Sequence, residues 1–269
     1  VRLAFTKMNG AGNDFVMLDN RSRALSLSRE QIARLCDRHR GVGADGLLLA
    51  EPPSSGSAQL RMRYYNSDGG EAEMCGNGAR CFARFAQRLG ACADRVAFET
   101  QAGLVRATLE GERVRVALSD PRDLRLGETL ALSRGEVEVH SVNTGVPHAV
   151  ALVDDLEKVD VAGLGREIRR HARFAPAGTN ANFAQRVGDR AIRVRTYERG
   201  VEAETLACGT GVTACALVAH LRLGMASPVA VRVQGGDTLE VSFRRAGEGF
   251  ADVCLSGPAD FVFDGTVEA

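Results

Sequence analysis

The chain of 269 residues balances 34 basic side chains against 34 acidic ones, so it lacks the one-signed surface that recruits nucleic acid or an anionic membrane. Its 7 cysteines are odd in number, contain no C-x-x-C and are too sparse to staple a chain of this length. The 5 histidines show no zinc spacing and no apolar run could span a bilayer, so the expectation is a cytoplasmic protein with reduced thiols, no metal and no signal peptide.

The first apolar segment, around Leu3 to Phe5, is followed by Lys7-Met-Asn-Gly-Ala-Gly-Asn-Asp14 and then Phe15 to Leu18, which predicts strand, glycine loop, strand. Ser28 to His39 predicts an amphipathic helix, with Ser28 as N-cap, Ile32, Leu35 and Cys36 inward, and Arg29, Arg34 and Arg38 outward. Gly41-Val-Gly-Ala-Asp-Gly46 leads into the apolar run Leu47 to Leu49 and a Pro/Ser/Gly loop. Leu60, Met62 and Tyr64 then alternate with Arg61, Arg63 and Tyr65, the pattern of a half-buried strand. Next comes Glu71-Ala-Glu-Met-Cys-Gly-Asn-Gly-Ala-Arg-Cys81. It opens a helix predicted over Ala79 to Leu89, with Phe82, Ala83, Ala86 and Leu89 on one face, Arg80, Arg84 and Arg88 on the other, and Gly90 as its stop. Three strands follow, around 96–98, 104–109 and 114–118.

Beyond Asp120-Pro-Arg-Asp123 the same order of elements returns. Cys75, Gly76 and Gly78 map onto Cys208, Gly209 and Gly211, and the same offset carries Gly12 to Gly145, Tyr64 to Tyr197 and Gln101 to Gln234. A constant offset through unrelated local patterns, far longer than a solenoid repeat, predicts two homologous domains. They are placed at residues 1–120 and 121–269, with the segment from about 259 able to return to the first. Each is mostly β with one central and one flanking helix. The second central helix, Val212 to Leu223, has almost no polar face, so it needs burial on nearly all sides. A sheet curled around it would supply that, as would a helix sandwiched in a multi-layer α/β fold.

The two Cys-Gly-x-Gly turns open helices, where unpaired backbone N–H groups and partial positive charge favour an anion. That field also favours thiolate over thiol, from a reference value near ~8.5. If the two domains face one another, Cys75 and Cys208 become opposed acid/base thiols astride one bound carboxylate, which suits inversion at the α-carbon of an amino acid. Either cysteine alone reads better as a small buried hydrophobe, as do Cys36, Cys81, Cys92, Cys215 and Cys254. Cysteine acyl transfer would need a thiol–histidine pair, for which His148 is the candidate, and leaves the second thiol unexplained. A redox dithiol would need the sulfurs in contact.

Phe5-Thr-Lys-Met-Asn-Gly-Ala-Gly-Asn-Asp-Phe15, Glu73-Met-Cys-Gly-Asn-Gly-Ala-Arg-Cys-Phe-Ala-Arg84, Tyr197-Glu-Arg-Gly200 and Glu204-Thr-Leu-Ala-Cys-Gly-Thr-Gly211 resemble the diaminopimelate epimerase family over essentially the whole chain. The resemblance implies an α/β fold of two pseudo-symmetric domains, each a highly curved, mostly antiparallel sheet around a central helix, commonly in a homodimer. It implies interconversion of LL- and meso-diaminopimelate without pyridoxal phosphate, any other cofactor or metal, in lysine and peptidoglycan precursor synthesis. By motif, Cys75 and Cys208 are the acid/base pair. Gly76, Asn77, Gly209 and Thr210 offer N–H groups to the reacting carboxylate, and Asn13 lines that end. Asn66, Asn180, Glu198 and Arg199 grip the distal amino-acid group, and His148 is an auxiliary electrostatic or orienting group. Gly46 and Val146 stand where some members have glutamine and asparagine, each removing a side-chain donor. Proline or hydroxyproline racemases, and a non-catalytic amino-acid binding protein of the same fold, are the alternatives.

Overall fold

The computed structural model describes residues 2–268. They form two compact units: one takes the residues up to Ala117 together with those from Gly257 onward, and the other runs from Leu118 to Ser256.

In the first unit, β1 (Arg2–Gly10) and β2 (Asn13–Asp19) form an antiparallel hairpin. Only Ala11 and Gly12 turn, both with positive φ, so the loop expected over Lys7 to Asp14 is mostly strand. Its polar side chains are compatible with the ladder because they find charged partners beside it. α1 (Arg29–Cys36) begins with a reciprocal Ser28–Gln31 capping box and ends short of the predicted His39, where Asp37 turns extended. β3 (Gly46–Glu51) runs parallel to β2 and antiparallel to β4 (Leu60–Asn66). β4 pairs with β5 (Glu71–Ala72) and, in parallel, with β6 (Arg95–Thr100), and β7 (Gly103–Glu110) and β8 (Arg113–Ala117) follow antiparallel. α2 (Gly76–Arg88), between β5 and β6, lies inside this curved sheet against β1 to β4, β7 and β8. α1 covers the opposite face through Ile32 and Leu35, packed with Val16, Leu18, Leu47 and Leu49.

Because both faces are covered, two expectations fail. Tyr65, not Tyr64, is the buried tyrosine of β4, seated in the cluster under α1. Arg80, expected on an outward polar face, is completely buried. Its guanidinium donates to the carbonyls of Gly10, Gly76 and Pro258 and to the Asn77 carboxamide, which is how a charge survives inside a sheet.

The second unit repeats this plan. β9 (Arg122–Leu132), β10 (Gly135–Asn143) and β11 (Pro147–Leu152) are antiparallel neighbours. After α3 (Val161–Arg170), β12 (Asn180–Gly188) runs parallel to β11 and antiparallel to β13 (Ala191–Glu198). β13 pairs with β14 (Ala203–Thr205) and, after α4 (Gly209–Leu223), in parallel with β15 (Val229–Arg232). β16 (Thr238–Ala246) and β17 (Gly249–Pro258) complete the ladder. Every residue of α4 from Val212 to Ala219 is buried, against β10 to β13, β15 and β16. The curled sheet is thus what its missing polar face demanded. α3 covers the outer face over Tyr197, for which Gly165 leaves space.

β18 (Asp260–Glu268) pairs with β1 of the first unit, as β9 pairs with β10 in the second. Tyr197 lies opposite Glu204 and Tyr65 opposite Glu71. The counterpart of Tyr197 is therefore Tyr65, one residue from the expected Tyr64, and one residue in a strand exchanges faces. Cys36, Cys81 and Cys215 are buried as expected, whereas Cys92 and Cys254 are half-exposed. Among the described residues no helix is long and apolar enough to cross a membrane.

Candidate active site

Both central helices begin at a cysteine. Cys75 and Cys208 are the N-cap residues of α2 and α4, each in extended conformation, so the helices start three residues earlier than their apolar runs suggest. An N-cap faces the unpaired N–H groups of the first turn. Cys75 Sγ accepts one of them, from Gly78, at 3.5 Å. Cys208 makes no such cap bond, and its Sγ lies 3.5 Å from the Thr210 hydroxyl. Burial pushes the Cys81 thiol up to about 12 and raises Cys215 well above its ordinary value, which leaves these second cysteines of α2 and α4 protonated.

None of Gly76, Gly78, Gly209 and Gly211 has a positive φ, so these glycines are not there to permit a left-handed turn. Gly211 is required by space: a Cβ there would strike the Asn182 carboxamide. Gly78 is less constrained, with Leu48 at 3.4 Å and Phe15 at 3.5 Å from the same added atom.

Around Cys75, the buried Asn77 donates its amide to Asn13, whose own amide donates to Asp45 at 2.9 Å. Asn66, at the exposed end of β4, accepts the Tyr64 hydroxyl at 2.8 Å. The Tyr64 ring meets Phe15 edge-on, with centroids 6.2 Å apart. A Cβ on Gly46 would lie 2.7 Å from that ring and 2.6 Å from the Tyr65 carbonyl oxygen. The ring therefore fills the space beside the glycine.

Around Cys208, the Thr144 hydroxyl donates to the Thr210 carbonyl at 2.8 Å, which ties the β10–β11 turn to the helix mouth. Asn182 is buried; its amide donates to the Ala149 carbonyl, and its oxygen accepts from Thr196. The same amide lies 3.2 Å from His148 Nδ1, so Nδ1 accepts and the imidazole proton belongs on Nε2, which has no partner among the described residues. Burial, reinforced by the charge of Arg199, lowers His148 to about 3. It is a neutral imidazole.

Asn180 works as a latch at the end of β12: its amide donates to the Pro147 carbonyl and its oxygen accepts the Arg199 backbone N–H at 2.8 Å. Glu198 and Arg199 are not paired with each other. Burial raises Glu198, partly offset by the Thr205 hydroxyl 3.0 Å away, and Arg199 donates to the Ala177 carbonyl. Among the described residues the half-buried Glu198 carboxylate meets no cation and the Arg199 guanidinium is held only by a carbonyl, so both retain capacity for a charged ligand.

Thus Asn13, Asn77 and Cys75 with Gly76 gather at one helix mouth, and Asn66 joins the same unit through Tyr64. Cys208, Gly209 and Thr210 form the other mouth, with His148, Asn180, Glu198 and Arg199 at the strand ends of that unit. Sequence reasoning missed Asp45, Arg80, Tyr64 and Asn182. Only Asn182 carried a signal, since Asn180-Ala-Asn182 places two amides on one face of a strand.

A family model described as "Diaminopimelate epimerase" matches residues 5–122 and 140–262. The diaminopimelate epimerase of Aquifex aeolicus is 45% identical, covering 98% of this chain and 97% of its own length. That of Chlorobaculum tepidum is 43% identical, covering 97% and 99%. Among solved structures, a Bacillus anthracis phenazine biosynthesis protein of the PhzF family is similar at a TM-score of 0.75 and 15% identity, with 100% of each chain covered. A probable proline racemase from Agrobacterium radiobacter, with bound carbonate, is similar at 0.72 and 17%, covering 99% of this chain and 92% of its own. These structural likenesses establish the shared fold.

Proposed function

The chain belongs to the diaminopimelate epimerase family, and from that membership we propose that it interconverts LL- and meso-diaminopimelate with Cys75 and Cys208 as the acid/base pair. One thiolate takes the α-proton from one face of the amino acid, and the other thiol returns a proton to the opposite face. The reverse reaction exchanges their roles. Proton transfer between carbon and sulfur changes no oxidation state and forms no covalent intermediate, so the chemistry calls for no cofactor. The hard step is the α-carbanion. Backbone N–H groups of Gly76, Asn77, Gly209 and Thr210 meet the reacting carboxylate, where helix N-termini favour the growing negative charge.

Asn13 lines the reacting end. Asn66, Asn180, Glu198 and Arg199 hold the distal amino-acid group, with Glu198 toward its ammonium and Arg199 toward its carboxylate. His148, as a neutral donor, orients rather than titrates. The observation that carries the reading is that two central helices, one in each unit, are each N-capped by a cysteine. The family likeness also implies a homodimer. For this β18 offers a surface, since Phe261, Val262 and Phe263 are exposed on the strand that pairs with β1.

Incubating LL-diaminopimelate in deuterated water with reductant tests the proposal. The expected product is meso-diaminopimelate with deuterium at the inverted α-carbon, and Cys75→Ser and Cys208→Ser should each suppress it while leaving the fold intact. Folded, reduced protein that gives neither exchange nor inversion would refute the reading. Proline and hydroxyproline run alongside address the racemase alternative, and binding without inversion would mark a non-catalytic amino-acid binding protein.

A further inference from the structure

Beside the Cys75 turn lies a charged cluster that the proton transfers do not use. Lys7, only 6% exposed, reaches Asp14 at 2.9 Å and also donates to the Gly43 carbonyl. Arg38 holds both oxygens of Asp14 and reaches Asp45 at 2.8 Å. The two acids interlock, each backbone N–H donating to the other's carboxylate. Burial works upward on Asp14, but the hydrogen bonds from Arg38 and Lys7 outweigh it and bring the group down to about 2. Asp14 therefore stays charged at any working pH.

From Asp45 a line of amides runs to α2. Asn13 Nδ2 donates to Asp45 Oδ2 at 2.9 Å, Asn77 Nδ2 donates to Asn13 Oδ1, and Arg80 donates to Asn77 Oδ1 at 3.0 Å. The two ends of a carboxamide are ordinarily hard to tell apart. Here both ends of the line run one way, because a guanidinium can only donate and an ionised carboxylate can only accept. Each amide between them must turn its oxygen toward Arg80 and its nitrogen toward Asp45. Reversing either would set like against like beside the fully buried Arg80, where an unmade hydrogen bond is costly. Asn13 then keeps a second amide hydrogen, with no partner among the described residues, next to the first turn of α2.

We propose that Asp45 is a positioning residue: with Arg80 it sets the polarity of this amide line, so that Asn13 turns an N–H, and not a carbonyl, toward the carboxylate of the amino-acid substrate. The proposal rests on the epimerase reading for the identity of that substrate. It explains why an acid closes the Gly41 to Gly46 stretch, and why that acid is braced by Arg38.

Calorimetric binding of diaminopimelate, with thermal midpoints measured in parallel, tests it on the full chain. Asp45→Asn should weaken binding about five- to tenfold, the net worth of one ordinary hydrogen bond that is no longer held in place, with a nearly unchanged midpoint. The decisive variant exchanges the pair, Asn13→Asp with Asp45→Asn. It keeps the cluster's net charge and every hydrogen bond along the line, giving up only the long 3.3 Å bond from the Asp14 N–H to position 45, but puts a carboxylate oxygen where the N–H faced substrate. Binding should fall about a hundredfold or more, from a lost donor and like-charge repulsion. A purely structural role for the cluster predicts the opposite, that the exchange restores both midpoint and affinity. That result, or wild-type affinity in Asp45→Asn, would overturn the proposal. Because binding is read directly, loss of turnover alone would count against the epimerase reading only, and a wild type that binds no diaminopimelate would overturn both.

Discussion

At the scale of single residues, His148 shows how far burial can outvote chemical type. Its ordinary value is 6.5, yet the folded chain holds it near 3, so it stays neutral where an exposed histidine would titrate. The unfolded chain takes up a proton that the folded chain refuses. The stability His148 contributes is therefore full above about pH 6.5 and is lost as pH falls from there toward 3. Urea midpoints at pH 7.5 and pH 5 should differ in the wild type, and His148→Gln should narrow the gap. Asp14 does not confuse this window, because its depressed value places its own loss lower, between the ordinary 3.8 and about 2. An equal gap in wild type and variant would show that another group sets the acid sensitivity. The residue type and place of His148 were legible in the sequence; its charge state was not, because desolvation depends on what surrounds the ring.

At the scale of elements, the two helix mouths divide the glycines by their reasons for being there. In α4 the added Cβ of Gly211→Ala would push against Asn182, which is itself held by Thr196 and the Ala149 carbonyl. That substitution should cost about 1–3 kcal/mol by overpacking and should disturb the Cys208 turn. Gly78→Ala meets only ordinary contacts in α2 and should be near neutral or slightly stabilising, since alanine is the better helix former. Thermal unfolding of the two variants, with turnover alongside, checks the contrast; equal losses would mean that both glycines answer to the same constraint. Cys-Gly-x-Gly announced both turns, and the apolar wheel of α4 announced its burial. The same reasoning misplaced Arg80, because helical periodicity assumes a solvent side and α2 has none from Asn77 to Ala83; only its last turn, at Gln87 and Arg88, is exposed.

At the scale of the whole molecule, the repeat gives each unit the same ladder and the same central helix. The C-terminal strand β18 fills in one unit the place that β9 fills in the other. Its exposed Phe261, Val262 and Phe263 are the apolar surface that the proposed homodimer would cover. Of these, Val262 is 55% exposed, whereas Phe263 stacks edge-on with Phe5 and Phe261 lies under Arg84 and Arg88. Val262→Asp should therefore shift the protein to a monomer in light scattering without unfolding it, because a charge in a strand-edge interface is costly to desolvate. A dimer that persists unchanged would place the interface elsewhere.

What the sequence by itself determined was local or repeated: the Ser28 cap, the paired Cys-Gly-x-Gly turns, the duplicated order of elements and, through its long motifs, the family. These depend on neighbours in the chain or on self-similarity, which a single sequence displays. Tertiary structure decided which face each side chain takes and what charge it carries. It buried Tyr65 instead of Tyr64, enclosed Arg80, neutralised His148 and joined Asp45 to Asn13 and Asn77. Each of those outcomes follows from a second surface closing over the first, and that surface is built by residues far away along the chain.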